Sequence, residues 1–375
     1  MKKVLIISNS SSGLYEFRNE IVMDLLKDFE VYITLPDADH YYEIFENEGC
    51  HMIHIPFQRR GMNPIKDYKL FRSYKALIKQ VRPDVVCTYT IKPNVYGGLA
   101  CTITHTPYIC NVTGLGTAIE NGGILSKVLI TMYRVALNRA RCVFFQNSHN
   151  RDFMQSHGIA RNTAKMLPGS GVNLEGHSYK PYPDEADGIR ILAVLRVMDD
   201  KGAREFLSAV EELGAPSGEP KVTFELAGNY EEETRDVYEP QISRLINEGK
   251  LNYLGFVDDM DSVYEKCHIL VHPSYHEGLS NVCLEAAACG RPVLASDVPG
   301  CRETLNDELT GLLFEARNSE ALICALKKIL SYDSARREDM GKKGREYVEK
   351  NFSREIVIRM YRNIIEEITG GKDEI

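Results

Sequence analysis

The stretch His272–Ser296, HPSYHEGLSNVCLEAAACGRPVLAS, carries the clearest structural signal in this chain of 375 residues. The apolar run Ile269–Val271 precedes it and is typical of a buried strand. Gly278 and the small polar residues after it predict a flexible loop, and the Ala-rich segment that follows predicts a helix ended by Gly290. Residues 292–295 are apolar again. The stretch therefore predicts a strand–loop–helix–strand unit.

A loop that opens into a helix is a suitable anion site, because its free N–H groups and the helix dipole favour a phosphate. The N–H groups of Leu279, Ser280 and Asn281 occupy this place in the sequence. Two carboxylates frame the loop, Glu277 before it and Glu285 inside the helix. We expect one to reach into the cleft and the other to hold a ribose hydroxyl pair. Alternatively, both only cap the helix and add surface charge.

The spacing of Glu277 and Glu285, with seven residues between them inside HPSYHEGLSNVCLEA, resembles the donor-site signature of the retaining, family-4 type glycosyltransferases of the GT-B fold. The Pro-Ser pair before the first carboxylate makes this resemblance specific. It implies an α/β protein of two Rossmann-like doubly wound domains that face each other across a cleft, with a C-terminal helix crossing back to the first domain. It also implies a UDP-sugar as co-substrate, no cofactor and no metal.

Composition supports a soluble globular protein, with 43% apolar and 26% charged residues. No apolar run reaches 18 residues, so no transmembrane helix is expected. The apolar run at the N-terminus is too short for a signal peptide. Ten cysteines without a C-x-x-C pair favour free thiols in a reducing cytosol and argue against a zinc site. The expected location is therefore the cytoplasm, peripheral on the inner face of the cell membrane.

Charge is distributed unevenly along the chain. Residues 1–170 contain 20 Lys and Arg against 14 Asp and Glu, a net of +6, whereas the remainder contains 25 against 39, a net of −14. A basic half suggests an anionic membrane surface or a phosphorylated acceptor as partner. Nucleic acid is not expected, because no aromatic-and-basic reader motif is present. The basic segment Arg59–Arg82 is either a membrane patch or a solvated helix face.

Apolar runs alternate with amphipathic segments along residues 1–170, which predicts a parallel sheet covered by helices. A Gly- and Pro-rich segment follows, and the alternation then restarts. We therefore predict an acceptor-binding domain over residues 1–170, a donor-binding domain over 171–350 and a returning helix over 351–375. The pattern also predicts a helix over Glu16–Lys27 and a helical tail from Ala335 to Ile368.

Two cations follow the strand predicted over Ile189–Leu195, namely Arg196 and Lys201. The carboxyl ends of strands face the ligand crevice in open α/β sheets. The family resembled here has a basic pair at this place, which implies that Arg196 and Lys201 bind the diphosphate. The family often has Gly before the Arg, whereas this chain has Leu195. Alternatively, these residues are solvated loop charges.

The resemblance extends to further positions on both sides of the site. Gly228 follows a strand and is expected to let the backbone approach the donor. The family's base-holding loop is matched by Phe256 and Val257, although a simple strand-end turn is an equal alternative. The donor-binding residues implied are Glu285, Gly278, Leu279, Ser280, Asn281, Gly228, Phe256 and Val257. The acceptor-side residues lie in loops after predicted strands and are Ser12, Gly13, Lys92, Asn94, Thr113 and Gly114.

A narrower branch of the family is also resembled, whose members act on undecaprenyl-diphosphate-linked sugars and add a HexNAc, as in bacterial N-glycan assembly. The implied catalytic residues are Glu277, which orients the donor sugar, and Lys201 with Arg196, which stabilise the diphosphate during front-face attack. The alternatives are a capsule or lipopolysaccharide transferase with another sugar and a non-catalytic sugar-nucleotide-binding protein. A nicotinamide oxidoreductase is disfavoured, because the G-x-G-x-x-G fingerprint is missing.

Overall fold

A computed structural model describes residues 1–58, 61, 63–115, 119, 122–215 and 221–370 of the chain. Two compact units are present, the first built from residues 1–170 with the segment from Arg354 onward, and the second from Gly171–Ser353. Each unit has its own apolar core. Within the described residues, no helix has both the length and the apolar character needed to cross a bilayer.

The first unit contains a seven-stranded parallel sheet in the order β3-β2-β1-β4-β5-β6-β7. Its strands are β1 (Lys2–Ile7), β2 (Phe29–Leu35), β3 (His51–His54), β4 (Val85–Tyr89), β5 (Tyr108–Val112), β6 (Cys142–Phe145) and β7 (Ala164–Met166). The described helices are α1 (Ser11–Leu25), α2 (His40–Asn47), α3 (Pro64–Val81), a π-helical turn (Pro93–Gly97), α4 (Gly98–Thr104), α5 (Gly123–Leu137) and α6 (Ser148–Ser156).

The second unit contains a six-stranded parallel sheet in the order β10-β9-β8-β11-β12-β13. Its strands are β8 (Ile189–Val194), β9 (Val222–Ala227), β10 (Leu251–Gly255), β11 (Ile269–His272), β12 (Val293–Ser296) and β13 (Gly311–Phe314). Its helices are α7 (Ala203–Leu213), α8 (Arg235–Asn247), α9 (Met260–Lys266), α10 (Asn281–Ala288), α11 (Ser319–Leu330) and α12 (Ser334–Phe352). The last helix, α13 (Arg354–Gly370), packs on α1 in the first unit.

These two parallel sheets confirm the predicted fold class, because helices connect strands that run in one direction and bury both sheet faces. Strands β4, β6, β11 and β12 are buried along their whole length, which explains their continuous apolar sequence.

The predicted helical tail is present and consists of two helices, because Ser353 adopts an extended backbone (φ −64°, ψ 148°) between α12 and α13. One predicted helix bound was wrong. The first helix begins at Ser11 rather than Glu16, because Ser10 caps it by accepting a hydrogen bond from the N–H of Gly13 at 3.1 Å. The first residues of this helix are small and polar, so the apolar pattern did not indicate that they are helical.

Candidate active site

Strand order in the second unit reverses between β8 and β11, so the loops after these two strands form a crevice at the carboxyl edge of the sheet. Lys201 follows β8 and Glu277 follows β11. The Nζ of Lys201 lies 2.7 Å from Oε1 of Glu277, and the two side chains are 21% and 18% exposed. The structure therefore brings together two of the predicted catalytic residues, which are 76 positions apart in the chain.

His272, the last residue of β11, provides a second contact to this carboxylate. Its Nε2 lies 3.2 Å from Oε1 of Glu277. Burial alone raises the pKa of Glu277, but the hydrogen bond from His272 and the positive charge of Lys201 outweigh it and lower the pKa to about 2. Glu277 is therefore an anion at neutral pH and can accept a hydrogen bond from a sugar hydroxyl.

Two glycines hold the backbone that carries Glu277. Gly202 has φ +74°, and a Cβ there would lie 2.2 Å from the carbonyl oxygen of Pro273. Gly300 has φ +87°, and its Cβ would lie 2.5 Å from the carbonyl oxygen of Glu277. Neighbouring loops thus approach the Glu277 loop so closely that no side chain fits, which fixes the position of the carboxylate.

One of the amides expected to bind an anion at the start of α10 is already hydrogen-bonded within the protein. The N–H of Ser280 donates to the carbonyl of Gly300 at 2.8 Å, and its Oγ accepts from the N–H of Cys283 at 3.3 Å. Ser280 is therefore the N-cap of α10, and the expectation that its amide is open to a diphosphate was wrong. Leu279 is almost completely buried, while Gly278 and Asn281 are half-buried at the start of the helix.

Arg196 and Glu285 have their own partners. Arg196, about half exposed, forms an ion pair with Glu231 rather than with the Lys201–Glu277 pair. Glu285 is half-buried and accepts a hydrogen bond from the hydroxyl of Tyr264 at 3.1 Å. Burial, with the negative charge of Glu285 in addition, raises the pKa of Tyr264, so that this hydroxyl keeps its proton. The roles of Arg196 and Glu285 toward a nucleotide stay predictions.

The remaining donor-side residues lie at the ends of β9 and β10. Gly228 (φ +134°) is required by a close backbone approach, because a Cβ there would lie 1.9 Å from the carbonyl oxygen of Leu195. Its conformation therefore has a cause inside the fold, which differs from the expected approach to a donor. Phe256 is 66% exposed after β10, and Val257 is half-buried against the core.

The acceptor-side residues lie at the carboxyl edge of the first sheet, after β1, β4 and β5. Ser12 and Gly13 belong to the first turn of α1, not to a loop as expected. Lys92 pairs with buried Asp67 at 2.9 Å. Asn94 is buried, accepting from Thr88 at 2.7 Å and donating to the Asn111 carbonyl at 2.8 Å. Thr113 and Gly114 are half-buried after β5.

Lys92 also lines a cavity of about 610 Å³ beside α3. Apolar and basic side chains share its wall, including those of Phe57, Leu70 and Lys66. Within the predicted membrane patch, Arg59 and Arg60 lie outside the described residues, and Ile65 and Tyr68 on α3 are 72% and 60% exposed.

Neither His272 nor Tyr264 was predicted from the sequence to be part of the site. The sequence contained a signal for His272, since a His that ends an apolar strand before Pro lies at the crevice edge. Tyr264 gave no signal, because its contact with Glu285 depends on how two helices pack.

One group of described residues has metal-ligand chemistry, namely His177, Asp261 and Cys289, whose ligand atoms all lie within 4.8 Å of one another. His177 already donates to Asp261 at 2.6 Å, and burial together with Asp261 raises the pKa of the Cys289 thiol to about 12. These contacts account for the group as a hydrogen-bonded pair that holds the segment before β8 against α9.

Family models match both parts of the chain. A model described as "Glycosyl transferase 4-like" matches residues 3–147, and one described as "Glycosyl transferases group 1" matches residues 180–347. The second match contains the Lys201–Glu277 pair.

Similar curated proteins match along the whole chain. An N,N'-diacetylbacillosaminyl-diphospho-undecaprenol alpha-1,3-N-acetylgalactosaminyltransferase of Campylobacter jejuni is 26% identical, over 98% of this chain and 100% of that protein. The capsular polysaccharide biosynthesis glycosyltransferase CapM of Staphylococcus aureus is 25% identical, over 98% and 99% of the two chains.

A solved structure, Anabaena HepE in complex with UDP, has the same fold, with a TM-score of 0.80, 18% identity and coverage of 98% of this chain and 100% of that one. Because the identity is low, this structural similarity supports the fold alone. Two parallel α/β units, two glycosyl transferase models and these transferases as relatives lead to one conclusion: the chain is a glycosyltransferase of the GT-B type.

Proposed function

We propose that the protein is a retaining, metal-independent glycosyltransferase that moves a sugar, best described as a HexNAc, from a UDP-sugar to a polyprenyl-diphosphate-linked saccharide in bacterial surface glycan or glycoprotein glycan assembly. The similarity to the Campylobacter N-acetylgalactosaminyltransferase along the full chain supports the donor sugar and the acceptor class. The observation that carries the proposal is the Lys201–Glu277 ion pair at the crevice between β8 and β11.

The chemical task is to stabilise the negative charge that develops on a departing UDP. Lys201 supplies a cation within the crevice, Arg196 a second one after the same strand, and the start of α10 a favourable dipole. Glu277 orients the sugar ring through a hydroxyl, and Glu285 holds the ribose. The acceptor hydroxyl attacks from the face that the diphosphate leaves, which retains the anomeric configuration. Its oxygen bonds to the anomeric carbon as the bond to the diphosphate breaks, and its proton passes to an oxygen of the departing diphosphate. No cofactor takes part.

An anionic membrane surface is the proposed setting, because the lipid-linked acceptor resides there. On α3, the exposed Ile65 and Tyr68 stand beside Lys66, Lys69 and Arg72. Apolar side chains can enter the headgroup layer while each cation contributes about 1 kcal/mol near an anionic surface. The protein therefore acts from the cytoplasm, peripherally on the inner face of the membrane.

The deciding experiment measures UDP release from a panel of UDP-HexNAc and UDP-hexose donors, with and without an undecaprenyl-diphosphate-linked acceptor. Acceptor-dependent release with one UDP-HexNAc is expected, and Lys201→Ala should abolish it while the circular dichroism spectrum stays unchanged. Release with a UDP-hexose instead would favour a capsule-type transferase, as the similarity to CapM suggests. UDP binding without any transfer would favour a non-catalytic binding protein.

A further inference from the structure

The imidazole of His272 is buried next to the Lys201–Glu277 pair. The residue is 4% exposed, and its Nε2 approaches Oε1 of Glu277, the same oxygen that accepts from Lys201. Its Nδ1 is buried and has no hydrogen-bond partner in the part of the chain that the structure describes. His272 therefore makes one strong polar contact, and that contact is to the predicted catalytic carboxylate.

A thiol lies near the same imidazole. Cys283, in the first turn of α10, is fully buried and interacts electrostatically with His272. Burial raises the pKa of Cys283, but a hydrogen bond from the Cys301 thiol and the charge of His272 hold it below its ordinary value. Burial lowers the pKa of His272, but Cys283 and Glu277 outweigh it and raise that pKa. The order of the groups in this row is therefore Lys201, Glu277, His272, Cys283.

This order matters because Lys201 has two tasks. It neutralises Glu277 at 2.7 Å, and in the proposed function it must also stabilise a diphosphate that carries more than one negative charge. A buried carboxylate that loses its cation is strongly destabilised. Glu277 therefore needs a second positive group that does not move toward the diphosphate, and His272 lies 3.2 Å away at the end of a buried strand.

We propose that His272 is a positioning residue, which holds Glu277 ionised and in place while Lys201 shifts from Glu277 to the diphosphate. This inference rests on the proposed function. His272 keeps its proton on Nε2 throughout and gives none to the substrate, so the reaction needs no additional acid. The titratable groups that face it are Glu277, Lys201 and Cys283, with Cys301 behind the last of these.

A binding experiment tests the shift of Lys201 without turnover. Lys201 opposes protonation of His272, so its departure toward a diphosphate should raise the pKa of His272. The full chain with isotope-labelled histidine is titrated by NMR, alone, with UDP and with uridine, and His272→Gln assigns the signal. UDP should raise this pKa and uridine should not. A His272 that is neutral at pH 7 in both states, or indifferent to bound UDP, overturns the proposal.

Kinetics test the consequence for the reaction. His272→Gln keeps a hydrogen-bond donor and removes the charge, so kcat should fall about tenfold or more while KM for the UDP-sugar changes by less than about twofold. Wild-type activity should fall as pH rises through the pKa of His272, and this basic limb should vanish in the variant. The matched control is His268→Gln, at a buried His directly before β11, which should keep the wild-type kcat and the basic limb.

Wild-type kcat and an unchanged basic limb in His272→Gln would overturn the proposal. If His272→Gln does not fold, Cys283→Ser replaces it: removing the ionisable thiol should lower the pKa of His272 and move the basic limb to lower pH, and an unmoved limb counts against the proposal. A wild-type protein that binds UDP but transfers nothing refutes the proposed function, and the NMR titration still decides the role of His272. A protein that does not bind UDP refutes both.

Discussion

Glu277 shows how neighbours at the scale of single residues set the chemistry of a side chain. A buried carboxyl without partners would be protonated more easily than one in water, whereas the contacts from Lys201 and His272 reverse this and lower the pKa of Glu277 to about 2. The residue is therefore an acceptor of hydrogen bonds over the whole physiological range. Its ionisation also contributes to stability, since the folded protein binds a proton there less readily than the unfolded chain.

The expected result of Glu277→Gln follows from this pKa. Because folding lowers the pKa of Glu277 from 4.5 to about 2, its anion stabilises the folded protein by up to about 3 kcal/mol. This contribution is fully present above pH 4.5 and is lost as the pH falls toward 2. Urea unfolding of both proteins should show the wild type more stable at pH 7, with a difference that shrinks between pH 4.5 and 2. A difference that does not depend on pH in this window would show that Glu277 is not ionised in the folded state. Glu315→Gln, on the surface after β13, is the control and should leave stability almost unchanged.

At the scale of secondary-structure elements, the Glu277 loop is positioned by backbone packing rather than by side chains. Gly300, in the turn after β12, lies against the carbonyl groups of Glu277 and Gly278, and its own carbonyl accepts from the N–H of Ser280. The turn after β12 thereby sets both the position of the carboxylate and the start of α10. The two backbones can approach this closely only because Gly300 has no Cβ between them.

Gly300→Ala should therefore reduce activity much more than an equally strained glycine substitution elsewhere. The new Cβ would meet the Glu277 carbonyl at 2.5 Å, so the loop must move, and a displacement of about 1 Å can cost 100-fold in rate. Gly255→Ala is the matched control, because Gly255 also has positive φ (+64°) but nothing lies within 4 Å of its Cβ position. The measurement is kcat with thermal unfolding of each variant. Equal losses in both would mean that strain, and not the contact with Glu277, is responsible.

At the scale of the whole molecule, the last described helix, α13, belongs to the first unit and not to the second. It buries Val357, Tyr361 and Ile365 in the core of that first unit. The hydroxyl of Tyr361 accepts from Nδ2 of Asn111 on β5 at 2.8 Å, and the Asn111 carbonyl accepts from Asn94. Helix α13 thus supports Asn94, a predicted acceptor-side residue, through Asn111.

Tyr361→Phe should lower the free energy of unfolding by about 1–3 kcal/mol, because it leaves the buried amide of Asn111 without this partner. Tyr74→Phe offers a control in the same unit, since the Tyr74 hydroxyl is equally buried and has no hydrogen-bond partner among the described residues. That variant should be neutral or slightly stabilising. Chemical unfolding of both variants makes the comparison, and a Tyr361→Phe protein as stable as Tyr74→Phe would show that the contact with Asn111 contributes nothing.

The amino-acid sequence by itself determined the alternation of strands and helices, the two α/β units and the places of Glu277 and Lys201 at strand ends. These features follow from local hydrophobic patterns and turn residues, each of which is contained within one segment of the chain. Only the tertiary structure decided which side chains meet: Lys201 with Glu277, Arg196 with Glu231, and the Ser280 amide with Gly300 instead of a ligand. The physical reason is that such pairs are joined through strand order and close backbone packing, which bring together residues that are distant along the chain.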